Sequence, residues 1–418
     1  MTTAQEDTDA PARGALAGIR VCDFCGQLAG AGATKWLAAF GAEVIRIEDP
    51  VAEGRWDILR GNAPYVDERR GVDFGGGFNN HNAGKCGITL NLRTPRGREI
   101  LAEIVGQSDI VTENFAAGVL ERWRFGYEEL KKIKPDIIYV SHTGFGHAGP
   151  YRTYKTWGPI VQAVSGLTFT CGLPDQPPAG WGYSFMDHTG GYYMVMAILL
   201  AVLHHRRTGE GQWVDLASTE AALSLSGPAL LDWTVNGRPG RREGQPHSNR
   251  SHCPPMAPHN IYPAKGEDEW VAIACRDDAD WERLAPLLKG ASDGRLATLA
   301  DRLENQDALD AEIAAWTLAR DKFEVQRLLR AAGVPCSAVQ RPGERVDHDP
   351  DTQGLWPTVT HSAMGEVRVD GIPARFSATP WRIERGGPCL GEHNEEVYGR
   401  LLGLSPAQVA ELRAEGVI

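Results

Sequence analysis

The chain is short of positive charge and has no long hydrophobic run. Lys and Arg number 43 against 54 Asp and Glu, a formal charge of −11, and this balance argues against a nucleic-acid partner, because neutralising phosphates takes clustered cations. The longest apolar stretch, residues 192–203, has 12 residues, where a membrane span needs about 20, so it reads as a buried helix. Eight cysteines scattered over 418 residues form no disulfide framework, and reduced thiols are expected. GxxxxGK[ST] and GxSxG are both absent, which removes P-loop phosphoryl transfer and the usual serine-hydrolase elbow; no HExxH occurs among the 12 histidines, so a metal centre has no support. Residues 1–14 are acidic and Ala/Pro-rich with no apolar core. They are expected to be the frayed tail of a cytoplasmic protein rather than a signal or transit peptide.

With 42% hydrophobic and 23% charged residues, the composition is that of a globular protein of roughly two or three domains. Residues 19–25 (IRVCDFC) read as a buried strand, 26–32 (GQLAGAG) as a small-residue turn, 33–40 as a helix closed by Gly41, and 43–48 (EVIRIE) as a second strand. A helix over 93–105, a strand over 109–112, helix over 118–131 and a strand over 136–141 continue the alternation. This pattern predicts a doubly wound α/β domain with parallel strands. A helix over 190–205, a strand over 213–217 and a further helix follow. Large polar, Gly/Pro-rich segments at 49–85, 146–156 and 172–183 read as loops able to carry a site. The expected division is a large domain over 15–225, a linker over 226–258, a small α/β domain over 259–334 with a strand at 269–275 and helices at 281–288 and 309–332, and a C-terminal segment, 335–418, that returns to the large domain.

Three features carry chemistry, each beside a plainer reading. The turn with Gly26, Gly30 and Gly32, followed by Glu48 where a ribose-binding acid would stand, resembles a dinucleotide fingerprint without matching GxGxxG. Its backbone N–H groups suit an anionic ligand, but tight packing would explain the glycines equally well. Cys22 and Cys25 have the CxxC spacing of redox and zinc motifs; with no second pair and with Cys22 in a buried strand, a core role is the simpler account. Asp187 stands before an apolar helix in SFMDHTGGYYMVMAILLAVL (184–203). A helix N-terminus and apolar neighbours would keep its carboxylate ionised and poorly hydrated, as a nucleophile requires, while a simple N-cap is a sufficient alternative.

Several blocks in order resemble the class III CoA-transferases, the CaiB/BaiF family that includes formyl-CoA transferase: LAGIRVCDF (16–24), GAEVIRIE (41–48), TLNLRTPRGREIL (89–101), ENFAAGVLERWRFGYEEL (113–130), GFGHAGPY (144–151), MDHTGGYYMVMAILLAVLHHRRTGEGQWVDL (186–216), GIPARFSATP (371–380) and LGEHNEEV (390–397). The resemblance implies a Rossmann-like large domain built from both ends of the chain, a smaller central α/β domain and an interlocked dimer. It implies that Asp187 attacks an acyl-CoA, giving anhydride and aspartyl-CoA thioester intermediates, with coenzyme A thioester as substrate and no permanently bound cofactor or metal. By position it puts CoA-binding roles on Gly26, Gln27, Leu28, Asn114, Phe115, Arg122 and Lys155; surface salt bridges are the alternative for Arg122 and Lys155. Two departures stand out. Asp49 replaces an arginine that contacts the cofactor in formyl-CoA transferase, and the mobile glycine-rich loop is missing, with residues 249–256 in its place.

The resemblance, with 12 tryptophans, leans toward transferases of bulkier acids such as aryl-substituted succinates, benzylsuccinate among them, with succinyl-CoA as donor. Partners are then acyl-CoA and a small carboxylic acid, without nucleic acid or membrane, in a homodimer or a hetero-oligomer with a homologous subunit. Three alternatives stay open: an α-methylacyl-CoA racemase-type enzyme, which needs two bases and for which this chain has Trp157 where the racemases carry a histidine, with His142, His147 and His188 nearby; an NAD-dependent oxidoreductase; and a non-catalytic subunit of a transferase complex.

Overall fold

The computed structural model describes residues 14–173, 175–182, 184–288 and 294–418; the expected N-terminal tail, except Gly14, lies outside them. The described residues form two compact units, one made of the chain up to Thr168 with Gly180–Thr234 and Gly354–Ile418, the other of Phe169–Ala179 and Val235–Gln353.

The first unit is built on six strands, β1 (Arg20–Asp23), β2 (Glu43–Glu48), β3 (Cys86–Thr89), β4 (Ile110–Glu113), β5 (Ile138–Thr143) and β6 (Trp213–Ala217). All pair in parallel, in the order β3-β2-β1-β4-β5-β6. Helices α1 (Ala29–Ala39), α2 (Gly76–Asn82), α3 (Pro95–Gly106), α4 (Val119–Arg122), α5 (Tyr127–Ile133), α6 (Gly158–Val164), α7 (Phe185–Thr208), α8 (Ser218–Leu225) and α9 (Gly227–Asn236) follow. Successive strand residues point to opposite faces. Val21, Val44, Ile110 and Ile138 therefore share one core with Leu37 of α1 and Met194 and Ile198 of α7. Cys22, Ile45, Val111 and Tyr139 share the other with Ile100, Leu101 and Ile104 of α3. Burial on both faces of β1 to β5 is why their apolar residues occur on both sides of the sheet, while the buried polar residues Asp23, Arg46 and Glu48 require partners. The strand order reverses between β1 and β4, so the loops leaving their C-terminal ends diverge and open a crevice.

Several elements differ from expectation for local reasons. Helix α1 begins at Ala29, so Gly30 and Gly32 lie inside it rather than in the turn. The helix expected over 118–131 breaks into α4 and α5 around Gly126, and β3 and α2 arise in or beside a segment expected to be loop. Helix α7 is long and apolar enough to cross a membrane by length and composition, yet it is neither fully buried nor bare. Met194, Ile198 and Ala201 enter the core while Tyr192, Met196, Leu199, Leu200 and Leu203 are exposed.

The second unit holds a two-stranded hairpin, β7 (Ser251–His252) with β8 (Pro255–Met256), and an antiparallel sheet ordered β11-β10-β9 from β9 (His259–Pro263), β10 (Trp270–Ala274) and β11 (Cys336–Ala338). Helices α10 (Asp278–Leu284), α11 (Leu299–Glu304), α12 (Gln306–Leu318), α13 (Lys322–Ala331) and α14 (Pro342–Asp347) accompany it. Tyr262, Val271, Ile273, Trp281, Ile313 and Val325 are in its core. The expected boundaries shift here. Residues 226–258 are not a linker, since they contain α9 and the hairpin, and the segment after residue 334 still belongs to this unit because β11 pairs with β10. The helix expected over 309–332 is two, because the Asp321 carboxylate accepts the Phe323 and Glu324 N–H groups and starts α13 afresh.

From Gly354 the chain is part of the first unit again, with the hairpin β12 (Thr358–His361) and β13 (Gly365–Arg368), then α15 (Asn394–Leu402) and α16 (Pro406–Ala414). Asn394 Oδ1 accepts the Thr89 N–H at 2.9 Å and Tyr398 donates its hydroxyl to the Thr89 carbonyl at 2.6 Å. The C-terminal segment thereby covers β3, the edge strand that would otherwise offer unpaired backbone.

Candidate functional site

The site begins in the charge network beneath the turn after β1. The buried Asp23 carboxylate accepts from Cys25 N at 2.9 Å, Thr34 Oγ1 at 2.8 Å, Thr112 Oγ1 at 2.9 Å and Lys85 Nζ at 3.2 Å. Arg46 donates to Asp57 at 2.8 Å, to Asn82 at 3.2 Å and to the Cys25 carbonyl, and Arg60 holds both oxygens of Glu48 at 2.9 and 2.6 Å. Three acids and three bases, every one buried, thus match in number. Burial opposes ionisation of Asp23 and Glu48, but Lys85 and Arg46 on the first and Arg46 and Arg60 on the second hold both below the usual carboxylate range. Removing one member would leave a buried charge uncompensated. Glu48 is consequently no free ribose acceptor, because a guanidinium occupies both its oxygens.

This network fixes the turn itself. Asp57 accepts the Gln27 N–H at 3.0 Å, holding Gln27 at φ 57°, in the left-handed region. Gly26 and Asn114 exchange two hydrogen bonds, Gly26 N to Asn114 Oδ1 at 2.8 Å and Asn114 Nδ2 to the Gly26 carbonyl at 3.0 Å, which clip the β1 turn to the loop after β4. A Cβ at position 26 would fall 2.4 Å from the Trp56 ring, so close packing is one reason for this glycine.

Gln27, Leu28, Asn114, Phe115, Arg122, Lys155 and Asp187 line one cavity of about 610 Å³ at the C-terminal ends of β1, β4 and β5; Gly26 is not among its lining residues. Trp56, Phe115, Val119 and Arg122 also line a neighbouring cavity of about 720 Å³, which adds Arg93, Arg98 and Arg124. Asp49 is paired with Arg93 at 2.8 Å. No ion pair of Arg122 or Lys155 occurs among the described residues, in contrast to the surface salt bridges considered for them, and both side chains are exposed.

Asp187 is not the N-cap of α7. Ser184 has that position, in a left-handed conformation (φ 49°, ψ 44°), and Asp187 lies inside the first turn. Its half-buried carboxylate accepts the N–H of Gly158, the first residue of α6, at 3.3 Å. Burial raises its pKa, more than hydrogen bonds from Ser184 and Gly158 and the nearby His188 lower it. The result is a carboxylate stripped of part of its hydration, which makes it a better nucleophile. Gly158 itself permits the approach, since a Cβ there would meet Asp187 Oδ2 at 2.7 Å.

Two further residues of this cavity escaped the sequence reading of the site, His142, considered only as a possible base, and Ser218. They lie 2.7 Å apart, His142 Nε2 to Ser218 Oγ. The other histidines are elsewhere. His147 Nδ1 is 3.1 Å from Asp215 and its ring approaches Glu113 and Glu121, while His188 faces the buried His81 with ring centroids 5.7 Å apart. Residues 249–256 form the β7–β8 hairpin of the second unit, where Arg250 pairs with Asp307 and Asp310 at 2.6 and 2.7 Å. Cys22 and Cys25 are buried free thiols whose pKa values burial pushes up, and no cluster of three metal-ligating side chains occurs among the described residues.

Residues 16–394 match the family model described as CoA-transferase family III. The succinyl-CoA–D-citramalate CoA-transferase of Chloroflexus aurantiacus is 34% identical over 94% of each chain. The formyl-CoA:oxalate CoA-transferase of Streptomyces coelicolor is 32% identical over 97% of this chain and 99% of that one. Among solved structures, a CaiB/BaiF family protein from Brucella suis superposes with a TM-score of 0.83 at 30% identity, covering 93% of this chain and 100% of its own. The fold, the order of blocks and these relatives agree: the chain belongs to CoA-transferase family III and is a class III CoA-transferase.

Proposed function

We propose that this enzyme moves CoA from succinyl-CoA to a dicarboxylic acid through covalent intermediates on Asp187. The observation that carries the reading is the shared cavity, which brings together a poorly hydrated carboxylate and two cations, Arg122 and Lys155, for which no ion pair occurs among the described residues. Asp187 attacks the thioester carbonyl, forming a succinyl-aspartyl anhydride and releasing CoA thiolate. The thiolate attacks the aspartyl carbonyl of the anhydride, so that aspartyl-CoA thioester forms and succinate leaves. The acceptor carboxylate then attacks the aspartyl thioester, and the expelled thiolate takes the acceptor acyl group from the new anhydride, regenerating Asp187. Each step exchanges one acyl bond for another, so no ATP is consumed.

Arg122 and Lys155 bind the phosphates of CoA, with Arg93, Arg98 and Arg124 extending the positive wall into the neighbouring cavity. Gln27 and Leu28 approach the pantetheine arm, Phe115 lines both spaces, and Asn114 lines the one that holds Asp187. The D-citramalate relative supports succinyl-CoA as donor and a small dicarboxylate as acceptor. Aryl-substituted succinates belong to the same acceptor class, and Trp56, Tyr154 and Trp157 on the cavity wall offer ring faces to such a substituent.

The functional form contains a second chain of this fold. Helix α9 buries no residue in the single chain, with Leu231 62% and Trp233 60% exposed, and the outer face of α7 adds Met196, Leu199 and Leu200. A patch of this kind marks an interface. Free cysteines and a CoA thioester substrate support a cytoplasmic location.

The test is CoA transfer by the purified protein from succinyl-CoA and, separately, formyl-CoA to a panel of mono- and dicarboxylic acids, aryl-succinates included, with Asp187→Asn in parallel. Transfer from succinyl-CoA to dicarboxylates, lost in the variant while CoA still binds, supports the reading. Transfer from formyl-CoA alone would overturn the donor, and α-carbon deuterium exchange without transfer would replace the reaction by a racemase.

A further inference from the structure

The pair formed by His142 and Ser218 has no part in the mechanism above, yet it lines the same cavity as Asp187. His142, near the end of β5, is 3% exposed. Its Nε2 is 2.7 Å from Ser218 Oγ, at the first residue of α8, and its Nδ1 is buried with no partner. Burial drives the ring pKa down to about 4, so around neutral pH the ring carries one N–H and one lone pair. A proton on Nδ1 would leave a buried donor orphaned, whereas a proton on Nε2 leaves only an unused lone pair. Orphaned buried N–H groups are the rarer and costlier case. The proton therefore belongs on Nε2, which donates to Ser218 Oγ. The serine then accepts from the histidine, and its own O–H must point elsewhere; no other hydrogen bond of Ser218 Oγ occurs among the described residues.

Gly190 relates the Ser218 hydroxyl to Asp187 along α7. It is three residues further along α7, and a Cβ at this position would fall 2.9 Å from His142 Nε2 and 3.4 Å from Ser218 Oγ. Positions three apart on a helix are neighbours on one face, roughly 5–6 Å between Cβ atoms. The hydroxyl and the Asp187 side chain therefore belong to neighbouring positions along this side of α7 and line the same cavity.

We infer that Ser218, held in orientation by His142, donates its hydrogen bond to the carbonyl oxygen of the acyl group under attack at Asp187 and stabilises the oxyanion that develops there. The inference rests on the transferase reading and adds a catalytic residue, Ser218, and a positioning residue, His142. The donor acts on charge that appears only in the transition state, so it lowers the barrier without tightening ground-state binding.

Isotope exchange between succinyl-CoA and labelled succinate tests it, because donor and acceptor acid are then the same. Removing one such donor costs roughly 10²–10³ in kcat. Ser218→Ala and the near-isosteric Ser218→Cys should both show this loss with KM for succinyl-CoA within about twofold, and Ser218→Thr, which keeps a hydroxyl, should recover most of it. His142→Phe should lose less than Ser218→Ala, and the double variant should be no slower than Ser218→Ala alone, as expected when one residue acts through the other. Wild-type kcat in both Ser218→Ala and Ser218→Cys, or additive losses in the double variant, would overturn the inference while leaving Asp187 chemistry intact. Absence of exchange in the wild-type enzyme would overturn the succinyl-CoA reading and the inference with it.

Discussion

Adding one methyl group at Gly158 should displace the proposed nucleophile without touching its chemistry. The φ of Gly158 is outside the left-handed region, so alanine fits the backbone, and the N–H that donates to Asp187 is retained. The new Cβ would lie 2.7 Å from Asp187 Oδ2 and 3.0 Å from its Cγ, so the carboxylate must retreat by about 0.7 Å to reach ordinary contact near 3.4 Å. The stability cost is small. Replacing glycine where the conformation permits gains about 0.4–1 kcal/mol, and overpacking by one methyl group costs about 1–3 kcal/mol, leaving a net loss on the order of 1 kcal/mol. The kinetic cost is larger, since a misplacement of about 1 Å in a reacting group costs roughly 10²-fold. Gly158→Ala should therefore lower kcat of succinyl-CoA/succinate exchange by about 10- to 100-fold while KM for succinyl-CoA stays within about twofold. Wild-type kcat in a variant that folds normally would refute the idea that this contact sets the position of the reacting carboxylate.

Other consequences follow from the same geometry. On the proposed contacts with the CoA phosphates, Arg122→Gln or Lys155→Gln removes a charged hydrogen bond of about 1.5–3 kcal/mol, so each should raise the Kd for CoA by about 10- to 100-fold in titration calorimetry, and the gap from wild type should narrow at high salt. Glu113, which accepts from Phe115 N at 2.7 Å, has its pKa raised by burial to about 8. Between its unfolded value near 4.5 and about 8 the folded state holds a proton that the unfolded state has lost, so this group's contribution to stability declines as pH rises through that window. Urea denaturation should then show Glu113→Gln gaining on wild type by a few kcal/mol between about pH 5 and pH 8; a constant difference would contradict the assignment. Leu231→Glu, on the uncovered face of α9, should shift the sedimentation profile toward the single chain, and an unchanged profile would place the interface elsewhere.

The parallel sheet was legible because most of its strands are short segments rich in Val and Ile set between helical patterns: RVCD, EVIRIE and IIYVS need no distant partner to be noticed. Strand β3, four residues of CGIT, has no such signature. It becomes a strand through pairing with β2 and through Asn394, 305 positions away from Thr89. The acid at the end of β2 has the position of a ribose ligand, but Arg60, twelve residues on, captures it within a loop that has no periodicity. Asp187 was visible as an acid at the edge of an apolar helix. Its place inside the helix was not, because the boundary is made by the left-handed backbone of Ser184 rather than by a side-chain cap. The contacts that complete the site are also non-local: Gly158 meets Asp187 across 29 positions and His142 meets Ser218 across 76.

The most direct measurement is peptide mapping by mass spectrometry after the purified enzyme is incubated with succinyl-CoA and the reaction is quenched with hydroxylamine. A hydroxamate on the peptide containing Asp187, absent in Asp187→Asn, is the result the account predicts. Turnover of succinyl-CoA with no label at Asp187, or with label on another carboxylate, would contradict it.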